Sequence, residues 1–328
     1  MRTHQKVSII GAGQVGGTTA EHVAVKELAD VMLFDVVPNV AEGKALDIQE
    51  GAPHWGFDVS VDGRTVGKEG KEFSDLEGSD IVVITSGLAR KPGMSRDDLL
   101  FTNLDIVKGV AEKVKLYAPE SMIIVVTNPM DIMAYTAFRA TGFRESRVMG
   151  MGGTLASTRF ATFVAKELGV SVKDVEAFVI GGHGDDMVPS IRYCSVGGLP
   201  IEKLMAKERI EDIVKRTRGG GGEIVNLLKT GSAFYAPGIA ITTMVESILK
   251  DKKRVIPVAA FLSGEVGEYY GVKNFFMGVP VKLASSGIER VFKVEFNEEE
   301  RALWNRSVES TRASVIKADS RLGSGLEH

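Results

Sequence analysis

The residues best suited to chemistry lie in one run, Gly181-Gly182-His183-Gly184-Asp185-Asp186-Met187-Val188-Pro189. Histidine is the side chain that most readily takes and returns a proton near neutral pH. The flanking glycines let the backbone turn sharply and let a bound molecule come close. The apolar run Val175 to Ile180 reads as a strand leading into this turn, although a histidine that only caps a glycine turn fits the same residues. Arg90 and Arg96 lie in Gly87-Leu88-Ala89-Arg90-Lys91-Pro92-Gly93-Met94-Ser95-Arg96-Asp97-Asp98-Leu99, with glycines on both sides of a proline. A mobile cationic loop suits an anionic small molecule that must be enclosed; a solvated basic loop is the other reading. Asn128, in Val126-Thr127-Asn128-Pro129-Met130-Asp131, precedes a proline that disfavours helix at the Asn. Its amide can donate and accept, or close a simple Asx-type turn.

The elements that must carry these groups follow from pattern. Lys6 to Ile10 is a short β-branched run, followed at once by Gly11-Ala12-Gly13-Gln14-Val15-Gly16-Gly17, a helical pattern from Thr18 to about Leu28 and a second strand, Val31 to Val36, containing Asp35. Gly11 makes the tight turn, Gly13 lets the backbone approach a pyrophosphate, and Gly16 lets the helix pack on the strand. The pyrophosphate would rest on the helix N-terminus, where unpaired N–H groups and the dipole favour an anion. Asp35 falls where an acid binds adenosine ribose hydroxyls and repels a 2′-phosphate, which favours NAD over NADP. Further strands are expected at Asp80 to Ser86 and Met122 to Thr127, with a helix at Leu99 to Leu116 between them. This β/α alternation implies a doubly wound parallel (Rossmann) sheet with ligands at the strands' carboxyl ends.

After about residue 150 longer helices and antiparallel-type strands take over: Thr154 to Leu168, Lys207 to Lys229, Ala236 to Lys250, Arg254 to Leu262 and Asn297 to Ser320. The expected class is therefore α/β, with a dinucleotide-binding domain over 1–149 and an α+β substrate domain over 150–324. Residues 325–328 read as a cloning scar. Gly219 to Gly222 reads as a kink inside a long helix, because no strand precedes it as a phosphate cradle would require. Net charge is −3 in 328 residues and no long single-sign block occurs, so nucleic acid and membrane surfaces are not indicated as partners. The single cysteine, Cys194, excludes an internal disulfide framework and a multi-cysteine metal site. No metal-ligand spacing, signal pattern or long apolar run is present, so a cytoplasmic location is expected.

Four motifs in order, GAGQVGG, ARKPGMSRDDLL, VTNPMD and GGHGDDMVP, resemble the lactate/malate dehydrogenase superfamily in its lactate-dehydrogenase-like branch, on the malate side. The resemblance spans nearly the whole chain. It implies NAD contacts at Gly11, Gly13, Gln14, Val15, Gly16, Asp35, Asn103, Val126, Thr127 and Asn128. It also implies that His183 is the acid/base, that Arg90, Arg96, Asn128 and Arg159 meet a small dicarboxylate, malate or oxaloacetate, and that the chain forms a homodimer or homotetramer.

One position departs from the family pattern. The helix that carries the substrate arginine usually reads Leu-Asp-Ser-x-Arg, and here it reads Leu155-Ala156-Ser157-Thr158-Arg159. Residues three apart share a helix face, so the missing acid would have pointed into the arginine's site and supported the histidine. Asp186, two residues from His183, is the nearest acid in sequence but lies in a tight turn. Three readings stay open: malate dehydrogenase, intact or impaired by the missing acid; lactate or another 2-hydroxy acid dehydrogenase; and a catalytically weak nucleotide-binding protein.

Overall fold

The computed structural model describes residues 4–88, 95–323 and 326–328, apart from the side chain of Arg96. The first half is a run of β/α units: β1 (Lys6–Ile10), α1 (Gln14–Val25), β2 (Asp30–Asp35), α2 (Val40–Glu50), α3 (Ala52–Trp55), β3 (Val61–Thr65), β4 (Ile81–Ile84), α4 (Arg96–Tyr117), β5 (Met122–Val125), α5 (Met130–Thr141) and β6 (Val148–Gly150). These six strands are parallel in the order β3-β2-β1-β4-β5-β6. Strand order reverses between β1 and β4, and in such sheets the crevice beyond the carboxyl ends at that point takes the ligand. The strands are apolar almost throughout, as Ile81–Ile84 shows with four buried residues, because helices cover both faces of a parallel sheet.

The second half contains α6 (Gly153–Leu168), β7 (Val175–Glu176), β8 (Val179–Gly181), β9 (Met187–Pro189), β10 (Ser195–Val196), β11 (Leu199–Pro200), α7 (Lys207–Leu228), α8 (Tyr235–Leu249), β12 (Arg254–Leu262), α9 (Gly264–Tyr270), β13 (Phe275–Ala284), β14 (Gly287–Val291) and α10 (Glu298–Leu322). The main sheet does not stop near residue 150. It continues β6-β12-β13-β8-β9, antiparallel from β12 onward, with β14 on β13. The crossing is a single register pair, Ala259 with Gly150.

The expected strand Val175 to Ile180 divides. Val175–Glu176 pairs with β10 in a small three-stranded sheet, while Val179–Gly181 joins the main sheet. The break falls at Phe178, whose N–H turns to Cys194 Sγ at 3.4 Å and whose carbonyl accepts from Ser190 N at 2.8 Å. Alternation and apolarity do not reveal which sheet a residue joins, so the run read as continuous. Helix limits moved for a legible reason in α4. Ser95 accepts from Asp98 N while Asp98 accepts from Ser95 N, a capping box that starts the helix at Arg96 rather than Leu99. The aromatic group near residue 270 is core: Tyr270, Phe275 and Phe276 are fully buried, and Trp304 donates to Tyr270 O at 2.7 Å. The glycine run 219–222 lies within the helix Lys207–Leu228.

Two glycines in the first turn have different neighbours. A Cβ added at Gly16 would collide with the carbonyl oxygen of Gly11, whereas one at Gly13 would meet no protein atom within 4 Å. Gly16→Ala should therefore lower the melting temperature of the cofactor-free protein by several degrees or more. Gly13→Ala should leave it nearly unchanged and weaken NADH binding measured by nicotinamide fluorescence. Equal melting losses in both variants would show that the two glycines serve folding alike.

Candidate active site

The glycine turn after β1 is built to receive an anion. Gly11 has φ of +109° and donates its N–H to Phe34 O at 2.8 Å, which binds the turn to the neighbouring strand. Helix α1 starts at Gln14 with no side-chain cap and no acid in its first turn. Its leading N–H groups therefore have no helical acceptor, and the space beside Gly13 is open. Uncapped donors next to open space fit a pyrophosphate. Asp35, at the end of β2, accepts from Ala12 N at 2.8 Å and Val37 N at 2.9 Å. Lys44 on α2 reaches over the turn to Gly13 O at 2.9 Å, where burial lowers its pKa and the charge of Asp35 only partly opposes this. Nothing in the sequence pattern singled out Lys44.

The floor of the crevice is formed by the ends of β4 and β5. Thr127 Oγ1 donates to Ser86 O at 2.7 Å. Asn103, buried on α4, accepts from Leu88 N at 2.8 Å and donates to Leu88 O at 3.1 Å and Asn128 O at 2.7 Å. Both its N–H donors are engaged, so Asn103 acts as a bracket between the start of the arginine loop and the Asn128 segment. Val126 is half-buried beside them, and Asn128 is exposed at the strand end. Gln14 and Val15 occupy the first turn of α1. Arg90 lies outside the described residues, as does the side chain of Arg96.

His183 stands at the tip of the β8–β9 hairpin, where Ile180 pairs with Val188 and Gly181 with Met187. Gly184 at φ +105° closes the tip, a conformation other residues adopt only with strain. Gly182 N donates to Ser307 Oγ at 2.8 Å, and His183 N donates to Asp131 Oδ2 at 2.7 Å. Asp131 begins the first turn of α5, just past the Asn128-Pro129 step, so one carboxyl ties the hairpin tip to the first half of the chain. Burial pushes that carboxyl up to about 7 and the charge of Asp186 adds to this, while the His183 N–H opposes it. The remaining oxygen, Asp131 Oδ1, is buried without a hydrogen-bond partner among the described residues.

The imidazole itself is similarly isolated. His183 Nδ1 is buried without a partner among the described residues, and the residue as a whole is half-buried. Burial first, and then the Arg159 charge, pushes its pKa down to about 4. The side toward α6 explains the isolation. A Cβ at Gly152 would stand 3.2 Å from His183 Nδ1, and Ala156, whose N–H donates to Gly152 O at 3.1 Å, follows one turn later. An acid at 156 would project from that face; the methyl of Ala156 is instead part of a buried apolar cluster. Asp186 does not replace it, because its Oδ2 accepts from Ser310 on α10 at 2.6 Å. Arg159 makes no ion pair among the described residues, and burial lowers its pKa. Helix α7 lies against it through the glycine run: a Cβ on Gly220 would be 3.2 Å from Arg159 Cδ.

A Rossmann-type sheet with an anion-ready glycine turn, joined to a histidine hairpin beside an unpaired arginine, defines a nucleotide-dependent dehydrogenase of the two-domain kind. Sequence models of the lactate/malate dehydrogenase NAD binding domain and alpha/beta C-terminal domain match residues 5–150 and 153–320. The malate dehydrogenase of Thermoplasma acidophilum is 58% identical over 96% of this chain and 97% of its own. The apo structure of the Picrophilus torridus malate dehydrogenase superposes with a TM-score of 0.95 at 56% identity, covering 97% of this chain and 98% of that one. A Cryptosporidium parvum lactate dehydrogenase, described as complexed with lactic acid and nicotinamide adenine dinucleotide, gives a TM-score of 0.90 at 39% identity over 97% of this chain and 99% of that one. The chain belongs to the lactate/malate dehydrogenase family, and its cofactor is NAD.

Ala156→Asp gives a direct test of the isolated imidazole. Reduction of a 2-ketoacid needs protonated His183, and a depressed pKa removes that form as pH rises through the depressed value. Restoring the acid should raise kcat for oxaloacetate reduction by about 10²–10⁴-fold and move the alkaline limb of the pH profile upward. An unchanged kcat and limb would show that His183 already has a partner.

Proposed function

We propose that the chain is an NAD-dependent malate dehydrogenase that interconverts (S)-malate and oxaloacetate, with His183 as the acid/base. The observation that supports this most is the half-buried histidine at the tip of the β8–β9 hairpin, whose ring lies close enough to Arg159 for that charge to add to burial in lowering its pKa. Relatives at 58% identity named malate dehydrogenase favour the dicarboxylate over the other acids of the family.

The nicotinamide supplies the redox chemistry when bound. The protein's part is to hold, orient and move a proton. In oxidation, neutral His183 takes the C2 hydroxyl proton at Nε2, and at pH 7 the depressed pKa keeps that neutral form populated. In reduction the same nitrogen must give a proton back, which is the direction the missing acid penalises. Arg159 holds the C1 carboxylate as a planar fork, and the exposed amide of Asn128 orients the C2 oxygen. Arg96 polarises that oxygen, and Arg90 pairs with the second carboxylate. Gly11, Gly13, Gln14, Val15 and Gly16 cradle the pyrophosphate and Asp35 takes the adenosine ribose, with Val126 and Thr127 at the nicotinamide end. We infer slow turnover with binding largely kept, because Arg159 remains while Ala156 leaves the site more positive.

The chain is inferred to act as a cytoplasmic homo-oligomer. Among the described residues no helix is long and apolar enough to cross a membrane. Leu46 on α2, Trp55 on α3 and Tyr235 and Ile239 on α8 are exposed, and apolar groups of this size commonly mark contact with a second subunit.

Substrate choice tests the reading. Following NADH absorbance, oxaloacetate should be reduced far faster than pyruvate, because pyruvate would leave the Arg90 guanidinium enclosed against a methyl group. Discrimination on the order of 10⁴ is within reach of such a polar contact. Arg90→Gln should narrow or invert the preference. Equal turnover of both ketoacids by the unaltered chain would remove Arg90 from this role and favour a broader 2-hydroxy acid dehydrogenase.

A further inference from the structure

A second cavity, distinct from the crevice that holds His183, opens in the second half of the chain. It has a volume of about 590 Å³ and lies between the first half of α7, the segment after β9 and the start of α10. Its apolar wall is made by Pro189, Ile191, Met205, Ile210, Val214 and Leu303. Its volume is that of a small-molecule site.

Four cations and four acids line it, so the lining carries no net charge. Lys207 pairs with Glu211 and Glu299, and Arg192 pairs with Glu300. Lys215, Arg218 and Glu202 complete the charged lining. Arg218 is half-buried, and its Nε and Nη2 both donate to the carbonyl of Met187 at 3.2 Å. Two of its five N–H donors are used in this way, and no carboxylate lies within ion-pair distance of it among the described residues. Burial lowers its pKa, the neighbouring Arg306 adds to this, and the charge of Asp186 opposes it. A half-desolvated guanidinium with spare donors, above an apolar wall, is complementary to a carboxylate on an apolar body.

We propose that this cavity binds a small amphipathic carboxylate, with its tail on the apolar wall and its carboxylate on Arg218, and that the bound molecule modulates the active site. Two physical connections lead from it to the reacting groups. Arg218 holds Met187, the first residue of β9 and the end of the hairpin whose tip is His183. Helix α7, which lines the cavity through Ile210, Val214 and Arg218, continues into the glycine run that packs on Arg159. Glycine has a lower helix propensity than Ala, so the packing on Arg159 yields readily. Modulation rests on the dehydrogenase reading; binding does not.

Calorimetric titration of the full chain with octanoate, in saturating NADH, tests the site. One octanoate per chain should bind, Arg218→Gln should weaken it about tenfold or more, and Val214→Trp, which fills the cavity, should abolish it. Octylamine, with the same tail and the opposite charge, should bind at least tenfold less tightly. No octanoate binding, undiminished binding in both variants, or equal binding of octylamine would each overturn the site. If Val214→Trp does not fold, as judged by circular dichroism, Arg218→Gln decides alone. Octanoate should also change kcat or KM for oxaloacetate without competing with it. Binding with unchanged rates would overturn the modulation and leave the site standing, and binding by a chain with no dehydrogenase activity would overturn the functional reading instead.

Discussion

One hydrogen bond ties the histidine hairpin to the helix that follows the Asn128-Pro129 step. The main-chain N–H of His183 donates to Asp131 Oδ2 at 2.7 Å, from the tip of a hairpin in the second half to the first turn of α5 in the first. The sheet crosses between the halves through a single register pair, Ala259 with Gly150. The hairpin tip has no ladder of its own beyond Gly181 and Met187. Its position relative to Asn128 and the ends of β4 and β5 therefore depends on Asp131, with Gly182 held separately by Ser307 on α10. A short acceptor on a helix N-terminal turn does this well, since the α5 N–H groups favour a partly negative carboxyl there. Burial works against that charge and raises the group to about 7, so the same residue that fixes the histidine is itself poised near neutrality.

The electrostatics of the imidazole follow from what surrounds it. Burial disfavours the protonated ring, and the charge of the neighbouring Arg159 opposes its protonation further. An acid on the same helix face would answer that charge and occupy Nδ1; Ala156 does neither. The ring is left with a buried orphan nitrogen and a strong preference for the neutral state. Oxidation of a hydroxyl needs neutral imidazole and reduction of a carbonyl needs imidazolium, so the substitution biases the protonation state toward one direction of the reaction. It cannot shift the equilibrium of the overall reaction, which no catalyst alters.

Much of this was legible in the sequence because its signals are local. The glycine spacing after β1, the acid at the end of β2 and the strand–helix alternation depend on residues within about twenty positions of each other. His183 stood out for the same reason, whereas Ala156 stood out only against the family pattern, and its three-residue spacing to Arg159 says why that position matters. The role of Asp131 was not legible, although the residue lay inside a motif already singled out. Its partner is fifty-two positions away, and no periodicity links a helix turn to a hairpin tip. Lys44 over Gly13 and the glycine run against Arg159 are also tertiary facts; the four glycines looked like a kink because the side chain that needs the space comes from another helix. The division of Val175–Ile180 between two sheets was hidden because both pieces bury the same kind of face.

The protonation state of His183 carries the central claim and can be measured without turnover. The chain has five histidines, His4, His22, His54, His183 and His328, and an imidazole-labelled sample with a His183→Gln control assigns the relevant resonance by NMR. Titrated in the NADH complex, His183 should stay neutral from pH 8 down to at least pH 5.5, with a midpoint near the depressed value of about 4. A midpoint at or above the ordinary imidazole value of about 6.5 would show that a partner supports the charged ring in spite of Ala156, and would contradict this description of the site.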